Sequence, residues 1–410
     1  MKVLLGHNYY RTSAPSGEDA VVVNERQLLE RRGIEVVPFE KNNDDIDDSS
    51  LGKRVRLALD TSWSQKSYNE LRGVIRRTRP DVAHFHNTFP QISPSAYAAC
   101  KNSGVPVVQT LHNYRMVCAG ALLMRDGKPC EDCLGGNLLP ALQYRCYRGS
   151  LPATSAIVWM IARNRARGVY DEMVNTYIAL SAFAAGKLAA GGLPAQRIVV
   201  KPNFLPDPPP PGSGRGGYAV YVGRLSEEKG VRTLISAWRL IKNLPLVVVG
   251  DGPLRAELEL RVKEQALNVS FVGFQTKTEV LRLIGEAVLQ VIPSECYENF
   301  PLVVLEAFAC GTPVLASRLG SLDEIVEEGI SGYKFEPSNP HDLADKVHQL
   351  TAVPDRLLSL RNAVRQMLLN HYSADANFTR LMEIYNGVLK GPKKAISLDG
   401  FTKGSARLTG

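Results

Sequence analysis

The chain has 410 residues, 44% of them hydrophobic and 22% charged, enough apolar content to bury two ordinary cores. A membrane-spanning segment is excluded, because the longest largely apolar run, Ala156 to Ala162, falls far short of the about 20 residues a span needs. The net charge of +8 lies in one half: residues 1–201 hold 26 Lys and Arg against 18 Asp and Glu, and residues 202–410 hold 23 of each. A basic half suggests a polyanion or an anionic lipid surface facing it.

MKVLLGH at the start has four apolar residues, too few for a secretory signal, and reads as a first core strand. The expected location is the cytoplasm, extending at most to the inner face of a membrane. Strand Lys2–Leu5 leads into the loop HNYYRTSAPSGED. A helix over Ala20–Arg32 follows, carrying Val21, Val22, Leu28 and Leu29 and stopped by Gly33. Strand, glycine-bearing loop and helix form the unit that places a ligand at strand carboxyl ends. The run NDDIDD contains Asp45-Ile46-Asp47, the spacing of a metal-binding Asp-x-Asp. It follows strand Glu35–Phe39 with no supporting motif and reads as a solvated acidic loop. Leu51–Arg79 reads as helical and rich in Arg. Strand Asp81–His86 ends in HNTFP, and strand Val105–Leu111 ends at His112-Asn113. Two strands delivering His and Asn at their ends suit a crevice in an open α/β sheet.

An insertion over residues 113–150 carries Cys118, Cys130, Cys133 and Cys146, spaced C-x(11)-C-x(2)-C-x(12)-C. A Cys-x-x-Cys knuckle with two flanking cysteines in a Gly/Pro-rich setting resembles a tetrahedral structural zinc site. The alternative is four ordinary thiols, the outer two simply buried; disulfides are not expected in a reducing compartment. Four thiolates would leave no open position, so a catalytic metal is not expected there. Cys100, Cys296 and Cys310 read as core or loop thiols. Ala156–Arg167, AIVWMIARNRAR, fits either an interfacial helix with basic anchors or a core helix with a solvated end. Strands Thr176–Leu180 and Ile198–Lys201 complete a first domain over residues 1–201. The Pro/Gly-rich residues 202–217 read as an interdomain linker.

A second domain over residues 218–370 opens with strand Tyr218–Val222 and GRLSEEKG, which sets Arg224 and Lys229 at a glycine-marked turn. Fixed cations there can stabilise the charge of a departing diphosphate without a metal. Leu246–Val249 leads to GDGPL and another helix, and Val269–Gly273 is a further strand. The central stretch is Pro293–Ser317, PSECYENFPLVVLEAFACGTPVLAS. A buried strand over Val288–Ile292 precedes it. Pro301 sits at the start of a helix that Gly311 ends, before strand Pro313–Ala316. Glu298 therefore lies in a loop at a strand's carboxyl end and Glu306 in the helix. The free amides of that helix start favour an anion, and the carboxylates a polyhydroxylated partner. A helix over residues 371–390 and a disordered tail over residues 391–410 are expected to close the chain.

The Glu298-x(7)-Glu306 pair, CGTPVLAS and EIVEEGISGYKFEP together resemble the retaining glycosyltransferases of family four. The resemblance covers nearly the whole chain and implies the α/β GT-B architecture, two facing Rossmann-like domains with a cleft between them, the last helix crossing back to the first. It implies that Arg224 and Lys229 bind the donor diphosphate, Glu306 the ribose and Glu298 the donor sugar. It also implies that His112 holds that sugar from the opposite domain and Gly17, followed by Glu18, approaches the donor or acceptor. Phe274 lies where relatives hold the base. Asn299-Phe300-Pro301 replaces a common Gly-Phe-Gly, and Asn113 a common Asp. The implied activity is metal-independent transfer of a sugar from a nucleotide-diphosphate donor to a saccharide or lipid-linked saccharide, in cell-surface polysaccharide synthesis. No cofactor is expected in catalysis. A nucleotide-sugar epimerase of the same fold is the alternative. A zinc-containing nucleic-acid-binding protein is a weaker one, because aromatics are not interleaved with the basic runs, so no nucleic acid is expected as a partner.

Overall fold

The computed structural model describes residues 1–13 and 16–391, so the expected tail lies outside the described residues except for Gly391. Strands β1 (Lys2–Tyr9), β2 (Glu35–Asn42), β3 (Val82–Phe85) and β4 (Val107–Leu111) belong to the first sheet. The insertion supplies a small antiparallel hairpin, β5 (Met124–Arg125) with β6 (Lys128–Pro129). Strands β7 (Thr176–Ala179) and β8 (Ile198–Val200) return to the first sheet, whose order is β2-β1-β3-β4-β7-β8, all parallel. Strands β9 (Ala219–Val222), β10 (Leu246–Val249), β11 (Val269–Gly273), β12 (Leu289–Ile292), β13 (Val314–Ser317) and β14 (Gly332–Phe335) form the second, ordered β11-β10-β9-β12-β13-β14.

The central strands are apolar on both faces, as parallel strands covered by helices must be: β3, β4, β12 and β13 are buried at every position. In each sheet the strand order reverses once, between β1 and β3 in the first and between β9 and β12 in the second. Ligands bind outside the carboxyl ends of strands at such switch points. The loops after β3, β9 and β12 carry His86, Lys229 and Glu298, and Gly17 opens the helix that follows the loop after β1.

Three expectations are refined. The helical stretch from Leu51 breaks into Leu51–Ser62 and Gln65–Thr78, because the Ser64 hydroxyl caps the second by accepting from Ser67 N at 3.2 Å. The linker is stitched to the second domain: Arg361 donates to the carbonyls of Gly212 and Gly285, and a Cβ at Gly212 would lie 2.2 Å from Gly285 O. The helix Ala374–Leu389 packs Leu381, Ile384 and Tyr385 against Val3, Leu29, Val82, Val108 and Ile178 of the first domain.

Candidate active site

The second-domain half of the site depends on close backbone approach. Gly230 has φ 65°, and a Cβ there would meet Pro293 O at 1.8 Å, so only glycine lets the loops after β9 and β12 touch. That contact brings Lys229 Nζ to 2.6 Å from Glu298 Oε1, which also accepts from Ser294 Oγ at 2.7 Å. Burial opposes the Lys229 charge, but Glu298 outweighs it and raises the lysine pKa, so Lys229 stays charged. Arg224 is exposed and has no acidic partner among the described residues. Its carbonyl is fixed by the Tyr221 hydroxyl at 2.8 Å.

Glu306 is 9% exposed and pairs with Lys277, at the start of the helix Lys277–Glu286. Lys277 was not singled out in the sequence; its nearest signal is that it follows Phe274, at the end of β11, by three residues. Pro301 precedes the helix Leu302–Cys310, whose first amides have no partner within the helix, and Gly17 lies beside its start, its Cβ position 3.9 Å from Leu302 Cδ1. Phe274 is 80% exposed, free to stack on a planar group. Phe300 departs from its expected place. Its ring is buried among Val304 and Phe308 and packs on Tyr372 at 5.5 Å, and its carbonyl accepts from Asn203. Asn299 instead spans the cleft, its Nδ2 donating to His112 O at 3.0 Å.

His112 ends a buried relay that the sequence did not reveal. Its Nε2 lies 2.9 Å from His86 Nδ1, and His86 Nε2 lies 3.0 Å from Glu25 Oε1. Glu25 Oε2 meets Lys201 Nζ at 3.0 Å. Burial raises the Glu25 pKa, but Lys201, His84 and His86 outweigh it and hold the carboxyl well below its ordinary value. Burial pushes His86 down to about 3 and His112 well below its usual range, so both rings are neutral. An ionised Glu25 requires the proton on His86 Nε2; His86 Nδ1 then accepts from His112 Nε2, leaving His112 Nδ1 as an acceptor. Glu25, His84 and His86 are the one group among the described residues whose ligand atoms lie within 4.8 Å of one another. The Lys201 ammonium supplies the positive charge there, which makes it an ion-pair network.

Glu18 is buried beside Gly17, which raises its pKa. One oxygen accepts from Asn113 Nδ2 at 2.9 Å, and Oε2 has no partner. A pocket open to solvent is lined by Thr61, His86, Phe89, His112, Asn113 and Met160, among others. The acidic run stays at the surface: Asp47 pairs with Lys53 and Asp44 accepts from Thr12, as a solvated loop would. Arg165 is not a basic anchor, since it donates to Gly191 O at 2.6 Å, and Arg163 and Arg167 stack on Trp63. The helix of which they are part buries Ile157, Met160 and Ile161, which favours the core-helix reading over the interfacial one. Cys118, Cys130, Cys133 and Cys146 line one small cavity.

Two doubly wound domains whose switch points face each other, one holding a Glu-x(7)-Glu pair beside fixed cations, define a glycosyltransferase of GT-B architecture. The chain belongs to glycosyltransferase family four: the sequence model for Glycosyltransferase Family 4 matches residues 16–207, and that for Glycosyl transferases group 1 matches residues 211–367. It is 34% identical to Mycobacterium tuberculosis glycogen synthase over 181 residues, 43% of this chain and 44% of that one. It is 29% identical to the lipopolysaccharide 1,2-N-acetylglucosaminetransferase of Salmonella typhimurium over 168 residues, 38% and 44% of the two chains. The match thus spans less than half the length of these relatives. Sucrose-phosphate synthase from Thermosynechococcus elongatus shares the fold, with a TM-score of 0.68 at 18% identity over 96% of this chain and all of that one. So does Anabaena HepE in complex with UDP and glucose, with a TM-score of 0.63 at 17% identity over 94% of this chain and all of that one.

Proposed function

We propose that the protein is a retaining, metal-independent glycosyltransferase that moves a sugar from a nucleotide-diphosphate donor to a hydroxyl of a saccharide or lipid-linked saccharide in cell-surface polysaccharide synthesis. The observation that carries this reading is the Lys229–Glu298 pair at the second-domain switch point, with Asn299 of the same loop bonded across the cleft to His112. UDP-glucose bound to Anabaena HepE supports a nucleotide-sugar donor for this fold. Arg224 and Lys229 take the leaving diphosphate, aided by the amides after Pro301. As Lys229 turns to phosphate, Glu298 is freed to accept sugar hydroxyls, and Glu306 accepts those of the ribose. No side chain is assigned as a nucleophile. The leaving phosphate oxygen draws the acceptor proton as the new bond forms on the same face.

The pocket beside His112 and Glu18 takes the acceptor. Two of its wall residues, Thr61 and Met160, come from the helices Leu51–Ser62 and Leu151–Ala166. The outer face of the helix Leu51–Ser62 shows Leu51, Val55 and Leu59, all more than half exposed, in the basic half of the chain. An apolar stripe outside a pocket wall suits a lipid-linked acceptor at an anionic leaflet, where each nearby Lys or Arg contributes about 1 kcal/mol. The test is a panel of nucleotide-sugars with saccharide and lipid-linked acceptors in the presence of a chelator, the product's anomeric configuration being read by NMR. A product of retained configuration supports the reading. An inverted product, loss of turnover in chelator, or free epimerised nucleotide-sugar without transfer overturns it.

A further inference from the structure

We propose that Cys118, Cys130, Cys133 and Cys146 hold one structural zinc ion, and that this zinc knuckle fixes the loop that carries Glu298. Cys100 and Cys310 are buried apart in the two main cores, 0% and 1% exposed, as ordinary apolar thiols are. The four insertion cysteines behave differently. Cys118, Cys130 and Cys146 are only partly buried, yet all four thiols gather on one cavity, and none is in a disulfide.

The local backbone is built to bring them there. Hairpin β5–β6 turns at Asp126 and Gly127, both at positive φ, and delivers Cys130, whose N–H donates to Leu123 O at 2.7 Å. After Cys133 the chain turns back through Gly135 and Gly136, at φ 85° and 99°. Gly120 lets the other two cysteines approach: a Cβ there would lie 3.3 Å from Cys146 O and 3.9 Å from Cys118 Sγ. Cys133 packs with Leu138, Ile157 and Ile161 in a satellite core, which seats the group on the helix Leu151–Ala166.

No three of the sulfurs lie mutually within 4.8 Å. The edge of a zinc–sulfur tetrahedron with bonds of about 2.3 Å is shorter, so the ion draws them together. Binding exchanges the S–H protons, up to four, for the cation and leaves a net charge of −2 on the centre. Arg125 and Asp132 line the same cavity as an ion pair at 2.6 Å. A closed shell of four thiolates gives the ion a structural role.

Glu131, inside the Cys130–Cys133 knuckle, carries that role to the cleft. Its Oε1 accepts from Tyr297 OH at 2.8 Å and from Lys187 Nζ at 2.6 Å, and Tyr297 immediately precedes Glu298. Tyr297 also packs edge-on against Phe183 at 4.7 Å, with Lys187 over both rings. Glu131 is therefore a positioning residue for the donor loop; this step rests on the donor-binding reading of Glu298.

The experiment begins with elemental analysis of the full chain as purified without added metal, expecting one zinc per chain. Replacement by cobalt(II) should give the intense near-ultraviolet charge-transfer bands of a tetrahedral thiolate site. Cys130→Ser should lose the metal, and Cys146→His should keep it. If Cys130→Ser does not fold, the wild-type stoichiometry and cobalt spectrum decide. Zinc well below one per chain with no cobalt–thiolate bands overturns the proposal, and so does iron in its place. Glu131→Gln should keep the zinc and raise the donor KM several-fold with little change in kcat. An unchanged donor KM overturns the coupling. Zinc stoichiometry is read without turnover, so a failure of the transferase reading would leave it standing.

Discussion

Lys229 and Glu298 form an ion pair at 2.6 Å, with the glutamate side chain only 12% exposed. In the proposed reaction these two groups have opposite duties toward the donor, and the pair sets them in contact with each other. A negative diphosphate competes for the lysine, and hydroxyls replace it at the carboxylate.

Removing the cation should accordingly harm the chemical step. Lys229→Ala should lower kcat by about 100- to 1,000-fold, the range for loss of one preorganised transition-state group. Arg224→Ala combined with it should abolish transfer. Glu298→Ala should lower turnover chiefly through lost sugar positioning. Steady-state kinetics check all three, and wild-type-like values in any variant remove that residue from the mechanism.

Glu306 pairs with Lys277, which is 56% exposed, so the two halves of this pair should separate on mutation. Glu306→Ala should weaken nucleoside diphosphate binding by about 10- to 100-fold, the equivalent of one charged hydrogen bond. Lys277→Ala should not weaken it, since it only frees the carboxylate. Titration calorimetry with the free nucleotide distinguishes the two.

The relay behind His112 gives a pH signature. The native pKa of His86 is pushed down to about 3, below the ordinary value of 6.5, and that of His112 is also lowered. Between those limits the unfolded chain binds protons that the native chain does not, so stability is full above about pH 6.5 and falls as pH falls. Each histidine contributes a slope approaching about 1.4 kcal/mol per pH unit. Urea midpoints measured from pH 7 to pH 4 should fall, and His86→Asn should flatten the curve. Glu25→Ala, which strands Lys201 in the interior, should cost about 3–5 kcal/mol.

The membrane reading is best tested away from Arg165, because its bond to Gly191 O makes any charge reversal there a folding defect. Val55→Asp with Leu59→Asp changes only the exposed stripe of the helix Leu51–Ser62. Co-sedimentation with anionic vesicles should be lost in that variant and weakened by salt in the wild type. Equal binding to neutral vesicles would reduce the basic half to a solvated surface.

Much of the site was legible because its residues sit within a few positions of a strand end, where local pattern fixes direction. Glu298 and Glu306 share one loop–helix unit, Arg224 and Lys229 another, and both appear where their spacing placed them. What was not legible depends on partners far apart in the chain. Lys277 reaches Glu306 across 29 residues, His86 meets Glu25 across 61, and Glu25 meets Lys201 across 176. Periodicity carries no record of such meetings. The arginines after Trp159 left two readings open for the same reason: the carbonyl that takes up Arg165 lies in a different helix–turn segment.

The helix Ala374–Leu389 follows the whole second domain in sequence, yet it completes the first: Tyr385 OH meets His84 Nδ1 at 2.7 Å, and Asn377 Oδ1 meets Lys201 Nζ at 3.3 Å. Domains generally fold in the order in which they leave the ribosome. Here the first sheet must wait for a segment translated more than 350 residues after β1, with the face of Val3, Val82 and Val108 open until then. A nascent chain halted before Ala374 would thus carry a complete second sheet beside a first sheet with one face still bare.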